Sequence, residues 1–152
     1  MIPGDSGSEN HGDLFADVGK AARAWIDGAS SGNPGPAGAG VVIKKGGKTV
    51  GEWMEYLGRT TNNVAEYKSL ILALRKALKL GIEVIIVYTD SELLHRQLNG
   101  IYKVKTPHIR ELFDKVQALK KRFILVRINH IRREENKQAD RLAKKARSSP
   151  AR

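Results

Sequence analysis

The stretch IDGASSGNPGPAGAGVVI, residues 26–43, decides how the rest of this chain is read. An apolar run, Ala24-Trp25-Ile26, leads straight into Asp27. Then comes a segment so rich in Gly, Ser, Asn and Pro that it reads as a turn, and Ala39 to Ile43 reads as strand again. Gly28, Gly32 and Gly35 permit backbone shapes closed to other residues, and Pro34 and Pro36 stiffen the turn. Strand, Asp, glycine turn, strand places a carboxylate at the end of a sheet beside bare backbone N–H groups. Alone, the same pattern also fits an ordinary β-hairpin with an Asp before its turn. Three other carboxylates decide between the two readings.

The totals set the frame. A chain of 152 residues suits one domain with a real core. Cysteine is absent, which excludes disulfides and thiolate metal sites and fits a reducing compartment. No apolar run is long enough to span a bilayer, and residues 1–20 lack the apolar block of a signal peptide. A cytoplasmic protein without a membrane partner is therefore expected. The net charge is +11, with −3 on residues 1–20 and hence +14 on residues 21–152. A small domain this basic usually meets a polyanion, most often nucleic acid. The aromatic rows with which single-strand binders stack bases are missing.

Working outward, residues 1–20 read as a mobile acidic arm, residues 21–147 as one folded domain and residues 148–152 as a tail. Strands are expected at 21–28, 38–45 and 49–57, with a tight turn at Lys45-Gly46-Gly47-Lys48, giving three antiparallel strands in a row. Thr60-Thr61-Asn62-Asn63 opens a long helix over 63–80, whose Leu70, Ala73, Leu74, Ala77 and Leu78 keep helical spacing. Gly81 stops it. Glu83 to Tyr88 is a continuous apolar strand of the kind covered on both faces, and the crossover makes it parallel to strand one. A short helix at 91–99, a basic loop at 101–106, a helix from Pro107 to 121, a strand at 123–128 and a helix at 135–147 follow. The last helix is expected to bury Ala139, Leu142, Ala143 and Ala146. The fold class is α/β: a mixed five-stranded sheet flanked by helices.

Four acids fall near element ends or helix faces in this scheme: Asp27, Glu66, Asp90 and Asp140. Asp27 and Asp90 end parallel neighbouring strands, where open α/β sheets place their ligands. Four carboxylates brought close cannot all stay ionised without cations among them. Hard oxygen donors suit Mg²⁺ or Mn²⁺, and a pair of such ions is a known device for in-line attack on a phosphodiester. Each acid has a plainer reading. Glu66 could complete a cap begun by Asn63, Asp90 could cap the helix after Ser91, and Asp140 could pair with Lys144 at i+4.

The order Asp27, Glu66, Asp90, Asp140 resembles type 1 ribonuclease H. So do the turn DGASSGNPGPAG, the helix opening TTNNVAEY, the strand end YTDSELL, and NHIRREENKQADRLA near the C-terminus. The resemblance covers about residues 21–147 and implies the ribonuclease H-like fold. It implies an endonuclease that cuts the RNA strand of an RNA–DNA hybrid and leaves 5′-phosphate and 3′-hydroxyl ends. It also implies two Mg²⁺ ions held by the four acids, with Mn²⁺ able to substitute, and a monomer is expected. Asp27 and Asp90 match the central ligands, Glu66 the acid near a 2′-hydroxyl, and Asp140 the outer ligand of one metal.

By the same resemblance Asn33, Asn62 and Asn63 match residues that reach the minor groove and backbone of the hybrid. Arg59 and Thr61 match a pocket for a DNA phosphate. Groups aimed at 2′-hydroxyls across a shallow minor groove are what telling RNA from DNA requires, and backbone contacts carry little sequence information. His130, ten residues before Asp140, matches a histidine thought to help water enter or product leave; it could equally cap strand five. Arg133 is a second candidate for touching the phosphate, or part of a solvated basic loop. The chain departs from relatives that carry an extra basic helix, because residues 99–107 are too short for one. Lys103 and Lys105, with Tyr102, stand where it would be. Two other readings stay open at this point: a nuclease of the same fold acting on DNA, and a non-catalytic module that binds hybrids or RNA.

Overall fold

The computed structural model describes residues 20–150. The acidic arm read over residues 1–20 lies, apart from Lys20, outside the described residues, as do residues 151–152 of the tail. Five strands form one sheet: β1 (Ala22–Ser30), β2 (Gly35–Lys45), β3 (Lys48–Thr60), β4 (Val84–Thr89) and β5 (Leu125–His130), in the order β3-β2-β1-β4-β5. β1–β2 and β2–β3 are antiparallel, and β1–β4 and β4–β5 are parallel. The helices are α1 (Asn62–Lys79), α2 (Glu92–Leu98), α3 (Pro107–Lys120) and α4 (Lys137–Arg147), with a 3₁₀ turn at Arg133–Glu135.

Side-chain alternation divides the sheet into two faces. Ala22, Ala24 and Ile26 of β1 join Val41 and Ile43 of β2 in the main core, against Tyr67, Leu70 and Leu74 of α1. Burying one such leucine contributes about 1.5–3 kcal/mol. Inside this layer the Tyr67 hydroxyl donates to Gln97 Oε1 at 2.8 Å, tying α1 to α2. On its opposite face β2 carries Gly38 and Gly40 ahead of Val42. A Cβ on Gly40 would stand 2.4 Å from the Ala139 carbonyl oxygen, and one on Gly38 2.4 Å from that of Ala143. α4 answers with its small residues Ala139, Ala143 and Ala146, all buried. Its backbone thus lies almost against the strand.

Several boundaries differ from those expected. The glycine-rich turn is short: β1 runs on to Ser30 and β2 begins at Gly35. Asp27 therefore lies inside β1, opposite Gly40, and not at its end. Small residues carry the pairing on, because Gly28↔Ala39 and Ala29↔Gly38 still form ladder partners. β5 starts at Leu125 rather than 123: Phe123 is buried in the core, and Ile124 and Leu125 both donate to the Glu83 carbonyl before the ladder begins. Residues 135 and 136 precede α4 instead of opening it. Leu142 is half-buried at the edge of the alanine stripe, not within it.

Candidate active site

The acids converge on one cleft where β1, the end of β4, α1 and α4 all contribute residues. The parallel register pairs Ile26 with Thr89, so Asp27 and Asp90 follow at equivalent positions of neighbouring strands. Glu66 comes from the first turns of α1 on one face, and Asp140 from α4 on the other. Carboxylate oxygens of Asp27, Glu66 and Asp90 lie within 4.8 Å of one another. Asp140 lies outside that tight group but lines the same cleft of about 310 Å³, with Arg133, Lys144 and Arg147. Its Oδ2 is 3.1 Å from Lys144 Nζ.

Local chemistry explains the placement. A Cβ on Gly28 would sit 2.2 Å from the Ala65 carbonyl carbon, so only glycine lets α1 approach β1 this closely. That approach lets the Gly28 N–H donate to Glu66 Oε1 at 2.8 Å. Glu66 is thus not a capping partner of Asn63. The cap of α1 is Thr61, whose Oγ1 accepts from the Val64 N–H at 3.3 Å. Nor does Asp90 cap α2, since Ser91 does, accepting from the Leu94 N–H at 3.1 Å. The pairing of Asp140 with Lys144 is present, but it is a partly exposed ion pair of small energetic weight.

Crowding shows in the titration of the group. Burial first, then the charges of Glu66 and Asp90, pushes the Asp27 carboxyl from 3.8 up to about 9. Burial and the Asp90 charge push Glu66 from 4.5 up to about 8, against the Gly28 N–H and the Arg133 charge, which pull it down. Asp140, on the same cleft, adds to the rise of Asp27. A cluster of buried oxygen donors that resist ionising together is suited to a hard divalent cation.

The other sequence-selected residues divide into groups. Asn33 Oδ1 accepts from the Asn62 N–H at 3.0 Å, and Asn62 Oδ1 accepts from the N–H and Oγ of Ser30, both at 3.0 Å. Together they pin the glycine turn to the start of α1, and each keeps its –NH₂ group as a donor. Asn62 lines the acidic cleft. Thr61 and Asn63 instead line a separate groove of about 590 Å³ with Thr60, Lys103, Lys105 and His108. Arg59 is exposed near the end of β3, paired with Pro36, and borders neither cavity. His130 ends β5 with its ring Nε2 3.3 Å from the Asp90 carbonyl oxygen, 5.8 Å from the His95 ring by centroids, and off the lining of the acidic cleft. Arg133 is on that lining.

Sequence reasoning missed three residues here. Lys144 figured only as a surface partner of Asp140, and Arg147, whose Nη1 reaches the Ser30 carbonyl at 3.4 Å, not at all. Asn136 is the third. It is 1% exposed, and its Nδ2 donates to the Ile26 carbonyl at 2.8 Å and to Asp90 Oδ2 at 3.0 Å. The one available signal was an Asn one turn ahead of Asp140, which resembles any helix cap.

Comparison with known proteins agrees with this geometry. Residues 26–146 match the sequence family described as "Reverse transcriptase-like". Ribonuclease HI of Halobacterium salinarum is 37% identical over 147 residues, covering 96% of this chain and 74% of that protein. The crystal structure of the RNase H1 from the same archaeon superposes with a TM-score of 0.83 at 39% identity, covering 86% of this chain and 99% of that one. LC11-RNase H1 in complex with an RNA/DNA hybrid superposes at 0.79 with 42% identity, over 84% of this chain and 96% of that one. A bifunctional protein of Mycobacterium tuberculosis is 42% identical over 127 residues; the match takes up 82% of this chain and 35% of that protein, so the chain spans about a third of its length. With the five-stranded order β3-β2-β1-β4-β5 and relatives of this identity and coverage, the chain belongs to the type 1 ribonuclease H (ribonuclease HI) family.

Proposed function

We propose that this protein is an endonuclease that hydrolyses the RNA strand of RNA–DNA hybrids with two divalent cations, leaving 5′-phosphate and 3′-hydroxyl ends. The observation that carries the reading is the trio of carboxylates within 4.8 Å, drawn from two strands and a helix, with Asp140 on the same cleft. Asp27, Glu66, Asp90 and Asp140 would hold Mg²⁺, with Mn²⁺ as a substitute. Divalent cations held by these four acids would supply the activation of a water and the stabilisation of the leaving oxygen. All four acids come from one chain, so the proposed site is complete in a monomer.

The chain's own groups do the rest. Burial of Asp27, with Glu66 half-buried beside it, limits how far bulk water screens the charges at the cut. Arg133 on the cleft wall faces the phosphate backbone, and Asn62 and Asn33 offer –NH₂ donors at the mouth. Contacts of that kind can reach 2′-hydroxyls and sugar oxygens of either base sequence. The 590 Å³ groove, walled by Thr61, Asn63, Lys103 and Lys105, lies on the other side of the α1 opening. It suits the DNA strand, with Arg59 as an outer phosphate contact. His130 is placed beside Asp90 rather than among the acids, which suits proton traffic at the edge of the site more than direct attack.

The test is incubation with end-labelled RNA–DNA, RNA–RNA and DNA–DNA duplexes in Mg²⁺, Mn²⁺ or chelator. Cleavage of the RNA in the hybrid alone, stopped by chelator, is expected. Cleavage of duplex DNA but not the hybrid would replace the reading with a DNA nuclease. Metal-independent binding without cleavage would replace it with a binding module.

A further inference from the structure

We infer that Asn136 is a positioning residue that sets the Asp90 carboxylate for the divalent cation, an assignment that rests on the nuclease reading above. Asn136 occupies the N-cap position of α4, where an Asn usually turns its side chain back onto the helix N–H groups. Here the side chain makes no cap bond and turns into the protein instead. Both of its donor contacts are to groups that only accept: a backbone carbonyl and a carboxylate oxygen. Its amide orientation is therefore fixed by chemistry. Among the described residues its Oδ1 is buried without a partner, an arrangement that stability alone would not select.

The three groups it joins are the ones that must keep register for the acids to meet. The Ile26 carbonyl precedes Asp27 on β1. Asp90 follows β4. The Asn136 carbonyl itself accepts from the Asp140 N–H at 3.0 Å, at the start of α4. One buried residue thus bonds the β1 backbone just before Asp27, the Asp90 carboxylate and, through its own carbonyl, the Asp140 N–H. It occupies Asp90 Oδ2, so Oδ1 is the carboxylate oxygen without that bond. Without that hydrogen bond, Asp90 is free to rotate, and a cation would have to order it on binding.

The experiment compares the intact protein with Asn136→Leu, which keeps the volume and removes both donors, and with Asn136→Ser, which keeps one short donor. Mn²⁺ affinity is read on hybrid-free protein by electron paramagnetic resonance, and KM and kcat are read on the hybrid. Asn136→Leu should weaken Mn²⁺ at least tenfold and lower kcat with KM within about twofold, and excess Mn²⁺ should restore part of kcat. Asn136→Ser should fall between the two. If the leucine variant fails to fold, the wild-type ¹⁵N spectrum decides: the Asn136 side-chain amide should exchange slowly with water and shift along the same curve as Mg²⁺ binding. Unchanged Mn²⁺ affinity in the variants, or an amide signal that Mg²⁺ leaves in place, would overturn the assignment of Asn136 alone. A wild-type protein that neither binds Mn²⁺ nor cuts the hybrid would overturn the nuclease reading and this inference with it.

Discussion

Asp27 is the residue on which the physics concentrates. It is 5% exposed, and carboxylate oxygens of Glu66 and Asp90 lie within 4.8 Å of its own. Because folding raises the Asp27 and Glu66 carboxyls to about 9 and about 8, the folded state binds more protons than the unfolded one above the ordinary carboxylate range. Cation-free protein should be most stable below about pH 4 as far as these groups are concerned, and lose that stability as pH rises through about 8 to 9. Divalent cations remove the repulsion, so Mg²⁺ should raise Tm more at pH 8 than at pH 5. Asp27→Asn should raise the Tm of the cation-free protein at pH 8 by a few degrees, since each kcal/mol is worth about 3–4 °C at this size. Thermal scans at the two pH values, with Mg²⁺ and with chelator, check both statements. An equal Mg²⁺ effect at both pH values would count against charge crowding in the cleft.

Among the elements, α4 matters most, because its contact with glycine places Asp140 and Asn136. Gly40→Ala puts a methyl 2.4 Å from the Ala139 carbonyl oxygen, and Gly28→Ala puts one 2.2 Å from the backbone of α1. Overpacking of this kind costs about 1–3 kcal/mol. Each variant should lose several degrees of Tm and lose activity beyond what the stability change explains. Gly46→Ala meets no atom of the described residues within 4 Å but sits at φ +59°, so it should lower Tm through backbone strain while changing activity little. The sequence made most elements legible through periodicity: Leu70, Leu74 and Ala77 mark α1, and the Val84 to Val87 run marks a covered strand. The close approaches were not legible. A glycine inside a turn-rich stretch looks the same whether it bends the chain or admits a neighbouring backbone, which is why β1 and β2 reach further than expected. The four acids could be picked out only as a set, each having a plainer local reading. Asn136 could not, since its inward turn depends on tertiary contacts.

Over the whole molecule, the +11 charge and the short connection between α2 and α3, which carries no long basic helix, would set how the proposed hybrid is held. Lys103 and Lys105 line the groove beside the N-terminal end of α1, and Arg133, Lys144 and Arg147 the acidic cleft. Binding dominated by phosphate contacts falls steeply with salt. For about four neutralised phosphates, affinity for the hybrid should drop on the order of 100-fold between about 50 and about 200 mM monovalent salt. Lys103→Ala with Lys105→Ala should flatten that dependence and raise KM while kcat holds, as measured by fluorescence anisotropy and steady-state rates. No helix among the described residues is long and apolar enough to cross a membrane. One labelled hybrid and the Asp90→Asn variant, with binding and Mg²⁺-dependent cleavage read in the same tube, separate grip from chemistry. Hybrid affinity within about threefold of wild type and cleavage lowered by at least about a thousandfold are expected, in line with losing a preorganised electrostatic contact at the reacting centre. Near-normal Mg²⁺-dependent turnover by that variant would contradict cleavage by cations held on these acids.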